Sequence, residues 1–137
     1  MAEETKPLIL IADDDPDLRR LVRMNLETTS CEIIEASDGE SAVEQIVLNH
    51  PNLIILDVMM PVLTGWEILR YIRTHEDKSV AATGVLMLTG IGETLNELSS
   101  PMYGADDYID KPFKSQELLF KVRRVLAKVR KREGLSE

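Results

Sequence analysis

Four short apolar runs in this chain each end in groups that could do chemistry. Asp13, Asp14 and Asp15 follow Leu8–Ala12, and Asp57 follows Leu53–Leu56. Thr89 and Gly90 follow Val85–Leu88. Asp110, Lys111, Pro112 and Phe113 follow Tyr108–Ile109. Carboxylates brought together repel and raise one another's pKa. A hard divalent cation with oxygen ligands removes that penalty. Mg²⁺ (or Mn²⁺) suits it, because it takes one or two carboxylates and keeps waters that a phosphate can replace. A lysine and a hydroxyl on the opposite side would neutralise and hydrogen-bond phosphoryl oxygens. The chemistry this describes is phosphoryl transfer. The nucleotide-loop pattern Gly-x-x-x-x-Gly-Lys-Ser/Thr is absent from the sequence. Each residue alone has an ordinary explanation. Asp15 before Pro16 is a good helix cap, and Lys111 could be any surface lysine. The weight lies in four run ends agreeing.

The elements that must position these groups are legible in the hydrophobic pattern. Between the runs lie stretches of helical spacing: Leu18, Leu21, Val22 and Leu26; Val43, Ile46 and Val47; Ile68, Leu69 and Ile72. A weaker one spans Thr94–Ser100, where Pro101 should end or kink it. A last helix starts from Ser115 as N-cap and carries Leu119, Val122, Leu126 and Val129. Cys31–Glu35 reads as a further strand, the second in order. Five strands alternating with five helices predict an α/β fold with a parallel sheet. The first, third and fourth strands are apolar throughout, as strands covered by helices on both faces must be. In such sheets ligands bind outside the carboxyl ends of the strands, where the candidate groups fall.

The composition is that of one globular domain: 137 residues, 44% hydrophobic and 29% charged. A net charge of −8 argues against a nucleic-acid-binding module. Residues 1–113 hold 8 Lys/Arg against 21 Asp/Glu, whereas residues 114–137 hold 8 against 3. The basic C-terminal segment (Arg123, Arg124, Lys128, Arg130, Lys131, Arg132) reads as a solvated helix face favoured by the helix dipole. Cys31 reads as a small core residue and excludes an intrachain disulfide. His50 and His75 fall near helix ends and suggest no zinc site. Leu8–Ala12 is too short for a signal peptide or a membrane span, so a cytoplasmic protein is expected.

In four segments the chain resembles the receiver domain of two-component response regulators, chemotaxis regulators included. They are ILIADDDPDLRRLV, LIILDVMMPVLTGWEIL around Asp57, VLMLTG and GADDYIDKPF. The resemblance covers residues 7–130, leaving 1–6 and 131–137 as tails or the start of a linker. It implies a flavodoxin-like, doubly wound (βα)5 fold with sheet order 2-1-3-4-5 and helices on both faces. It implies that Asp57 is the phosphoacceptor, attacking a phosphohistidine on a histidine kinase or histidine phosphotransfer protein. Asp13, Asp14, Asp57 and the backbone carbonyl of Met59 would hold Mg²⁺. Thr89 would be the hydroxyl that moves onto the phosphoryl group, and Lys111 the lysine that pairs with it through a loop closed by a cis peptide to Pro112. Tyr108 would be the aromatic ring that turns inward with Thr89. Phosphorylation would then shift the face made by the fourth helix, fifth strand and fifth helix toward an output domain or protein. The chain would act as a switch, monomeric or dimerising on phosphorylation, and not as an enzyme with its own substrate.

Several positions depart from the family's pattern or refine it. Met59 and Ile91, two residues after Asp57 and Thr89, are apolar and cannot orient an attacking water, which predicts slow autodephosphorylation. The expected fourth helix has no Lys or Arg, which disfavours one kind of dimer contact. Thr64 stands where an Asp often caps the third helix and can do the same. Asp110 beside Lys111 is an unusual charge, but neighbours on a strand point opposite ways, so it is not expected to touch the site. An FMN-binding flavodoxin would put a phosphate against Asp13–Asp15, and a haloacid-dehalogenase-type phosphatase needs a second acid where Met59 stands. A receiver acting as a constitutive interaction module is the remaining alternative.

Overall fold

The computed structural model describes residues 6–90 and 104–134. The expected fourth helix, with Ile91 and Pro101, lies outside the described residues.

In order, the elements are β1 (Leu8–Ala12), α1 (Pro16–Leu26), β2 (Glu32–Ala36), α2 (Gly39–Asn49), β3 (Leu53–Asp57), α3 (Gly65–Arg73), α4 (Lys78–Ala81), β4 (Gly84–Thr89), β5 (Asp107–Asp110) and α5 (Ser115–Gly134). The strands form one parallel sheet of order β2-β1-β3-β4-β5. Alternation along the central strands divides the core in two. Leu10, Ile54, Leu56, Val85 and Met87 pack with Ala42 and Ile46 of α2 and Ile68, Leu69 and Ile72 of α3. Ile9, Ile11, Leu53, Ile55, Leu86 and Leu88 pack with Val22 and Leu26 of α1 and Leu118, Val122, Val125 and Val129 of α5. Every residue of β3 and β4 is buried, which explains their unbroken apolar sequence.

Helix starts follow from local capping. Asp15 accepts the N–H groups of Asp17 and Leu18 with Pro16 in the first turn, and Asp38 accepts from Ser41. Thr64 and Glu67 form a reciprocal capping box at α3.

Some sequence expectations shift. β2 begins one residue later than expected, leaving Cys31 half-buried at the edge of the core. Leu21 and Val47 are exposed, because each packed helix shows the sheet only a narrow stripe. In α5 that stripe runs through Leu118, Val122, Val125 and Val129, with Leu119 and Leu126 beside it. Ser115 is the first residue inside α5, and its hydroxyl donates to Asn25 Oδ1 at 2.8 Å instead of capping. The short helix α4 was not anticipated.

The basic face of α5 is more than solvated. Lys121 and Arg124 approach Asp107 at 3.8 and 3.7 Å, and Arg132 pairs with Asp106 at 2.8 Å. Asp106 also accepts from Arg73 at 3.0 Å and from the Val85 N–H at 2.9 Å. Arg73 donates further to the carbonyls of Gly104, Ala81 and Thr83. Burial opposes ionisation of Asp106, but these donors hold its carboxyl below the usual range. Part of the basic face of α5 is thus paired with Asp106, just before β5, and with Asp107 at its start.

Candidate functional site

The carboxyl ends of β1, β3, β4 and β5 meet at one edge of the sheet, and the singled-out residues meet with them. Asp13 lies just past β1 and is buried. Its Oδ1 accepts the Asp15 N–H at 2.9 Å, while its buried Oδ2 has no hydrogen-bond partner. Asp57 ends β3 and is 3% exposed. Its Oδ1 accepts from Lys111 Nζ at 2.9 Å, and the same ammonium lies 3.8 Å from Asp13 Oδ2. Asp14 is exposed at the rim, and one oxygen from each of Asp13, Asp14 and Asp57 lies within 4.8 Å of the others.

This crowding sets the electrostatics. Burial pushes the Asp13 carboxyl up to about 6, and the Asp57 charge adds to the rise, while the Asp15 N–H opposes it. Burial also raises Asp57, against the hydrogen bond and charge of Lys111 and the Met59 N–H. One ammonium therefore does not compensate the cluster. The buried unpartnered oxygen and the three converging carboxylates fit a hard divalent cation.

The loop after β3 approaches closely. A Cβ at Gly65 would collide with the Asp57 carbonyl oxygen, and one at Gly39 with the backbone of Leu63. Both helices thus start against this loop. Within it Val62 has φ +74°, a left-handed conformation that a β-branched residue adopts only under strain. The Met59 side chain is 55% exposed.

Thr89 ends β4 and is wholly buried. Tyr108 sits on β5 at the surface, and its carbonyl accepts from Lys121 Nζ at 2.6 Å. The Lys111–Pro112 peptide is cis.

One expectation fails. Asp110 does not point away from the chemistry: Thr89 Oγ1 donates to Asp110 Oδ1 at 2.7 Å. Alternation along β5 separates Asp110 from Lys111, but Asp110 is in register with Thr89 across the β4–β5 ladder. Register partners in a parallel pair share a face of the sheet. The sequence signal was available only once that pairing was known. Gly65 was likewise missed, since its closeness to Asp57 depends on how the loop turns.

A parallel sheet of this order, with carboxylates, a lysine and a buried hydroxyl converging at its strand ends, defines a doubly wound α/β domain whose candidate site lies at the carboxyl ends of the strands. The response regulator receiver domain family matches residues 9–123, and the chain belongs to that family, the receivers of two-component signalling. A probable transcriptional regulator ycf27 from Cyanophora paradoxa is 37% identical over 90% of this chain and 50% of its own length. The transcriptional regulatory protein SrrA of Staphylococcus aureus is 41% identical over 86% of this chain and 47% of its own. The chain thus spans about half the length of these curated relatives. Among solved structures, a putative response regulator from Chloroflexus aurantiacus superposes with TM-score 0.82 at 32% identity, covering 90% of this chain and 99% of that one. The chemotaxis response regulator CheY4 of Vibrio cholerae does so with TM-score 0.79 at 30% identity, covering 88% and 99%. No described helix is long and apolar enough to cross a membrane.

Proposed function

We propose that this receiver takes a phosphoryl group onto Asp57 from a phosphohistidine of a partner kinase or phosphotransfer protein. The observation that carries the reading is the meeting of Asp57 with Asp13, Asp14 and Lys111, including a buried Asp13 oxygen that accepts no hydrogen bond. In the transfer, the P–N bond to the partner's imidazole breaks and its electron pair stays on that nitrogen. A P–O bond forms to an Asp57 carboxylate oxygen. Asp13, Asp14 and Asp57, with the Met59 carbonyl, would hold Mg²⁺, which when bound supplies positive charge to the carboxylates and the phosphoryl oxygens. Lys111, already on Asp57, follows the new charge onto the phosphoryl group. The acyl phosphate adds about −1.5 to −2 charge by analogy with other phosphorylated side chains. Thr89 moves to donate to it, and β4 and β5 carry that change outward.

The output surface on this reading includes β5 and α5. Tyr108 is exposed there, and Phe120 is 53% exposed with the Arg124 guanidinium 5.5 Å from its ring centroid. Met59 and Ile91 offer no polar group to an attacking water, so the adduct should decay slowly.

Intact mass after incubation with acetyl phosphate and Mg²⁺ tests the reading. A single phosphoryl gain, lost with EDTA and in Asp57→Ala, is expected. An adduct that survives Asp57→Ala would overturn the assignment, as would no gain with either acetyl phosphate or a phosphorylated phosphotransfer protein. Decay within seconds in Mg²⁺ would refute the lifetime argument alone.

A further inference from the structure

We infer that Asp110 is a latch on Thr89: its carboxylate holds the only proton the Thr89 hydroxyl can donate, and so opposes the phosphorylated state. The inference rests on the phosphoacceptor reading above and adds a positioning residue to it.

A threonine hydroxyl has a single O–H. In this structure it is given to Asp110 Oδ1 at 2.7 Å, and a hydrogen bond to an ionised acceptor is among the stronger kinds. Thr89 is fully buried, so water does not compete for that proton. The pairing is held on both sides by the backbone. Thr89 and Asp110 are register partners, and the Lys111 N–H donates to the Thr89 carbonyl at 2.7 Å.

A phosphoryl group on Asp57 would make a second claim on the same proton. It can be met only by breaking the bond to Asp110. Asp110 therefore sets a threshold: it stabilises the state in which Thr89 is turned toward β5, and its charge repels the incoming anion. Lys111, the next residue, reaches Asp57 at 2.9 Å, so cation and latch leave β5 from adjacent positions and act in opposite senses. Asp110 is itself exposed, so its replacement leaves the core intact.

The test is calorimetric titration of the whole chain with beryllofluoride, a phosphoryl mimic, in Mg²⁺. Four proteins are compared: wild type, Asp110→Ala, Thr89→Ala and the double variant. Releasing the hydroxyl should tighten beryllofluoride binding about tenfold in Asp110→Ala. Asp110→Asn, whose amide oxygen still accepts from Thr89, should gain less. In the Thr89→Ala background the same change should give less than about threefold, the residue of simple charge removal. Equal gains in the two backgrounds would show only charge removal and overturn the latch. No gain in Asp110→Ala, with wild type binding normally, would overturn it as well. Failure of wild type to bind would overturn the phosphoacceptor reading and the latch with it.

Discussion

Replacing Asp13 by Asn should stabilise the metal-free protein at neutral pH and weaken its response to Mg²⁺. Asp13 titrates near 6 in the fold and near 3.8 when unfolded. Between those values the folded state keeps a proton that the unfolded chain has released. Stability contributed by this group therefore falls as pH rises through the window, and the loss is complete above it. A difference of about two pKa units corresponds to about 3 kcal/mol. Asn keeps the acceptor for the Asp15 N–H but carries no charge, so it avoids that loss. Its amide hydrogens would face the Lys111 ammonium, which trims the gain to about 2 kcal/mol. Such a gain is a large part of the 5–15 kcal/mol typical of a domain. Urea denaturation in EDTA should place the variant's midpoint about 1 M above wild type at pH 7 and level with it near pH 4. On the proposed metal reading, Mg²⁺ should raise the wild-type midpoint more than the variant's, because only wild type presents all three carboxylates. A variant less stable than wild type at pH 7, or an offset identical at both pH values, would refute the claim that buried, uncompensated charge strains this site.

Two further substitutions probe how the site is framed. Arg73→Met should cost about 3–5 kcal/mol by chemical denaturation, because it strips a buried partner from Asp106 and a donor from three backbone carbonyls. Val62→Asn should raise stability by about 1 kcal/mol in the same assay, since Asn tolerates the left-handed backbone at φ +74° better than a β-branched residue.

The sheet was readable from the chain because both of its faces are covered. Covered strands are apolar without interruption, so β1, β3 and β4 stand out, and the groups following them had to share one edge. That rule brings Asp13, Asp14, Asp57 and Thr89 to the same end of the sheet, and Lys111 joins them after the short mixed strand β5. Edge strand β2 is half-buried and mixed in sequence, and its start was misplaced by one residue. The stripe of α5 was displaced because Leu118, Leu119, Val122, Val125, Leu126 and Val129 offer two overlapping helical registers, and only packing against the sheet and α1 chooses between them.

Sequence by itself determined the family, the strand order that follows from it, and the residues that could do chemistry, since all of these reside in local patterns of type and spacing. Tertiary structure decided which of those residues touch. Thr89 and Asp110 lie 21 positions apart, and their hydrogen bond exists because two strands pair in one register and not its neighbour. Arg73 of α3, Arg132 of α5 and Asp106, just before β5, form one network. A side chain's partner across a sheet depends on pairing that no window of sequence contains, whereas its place at a strand end depends only on where an apolar run stops.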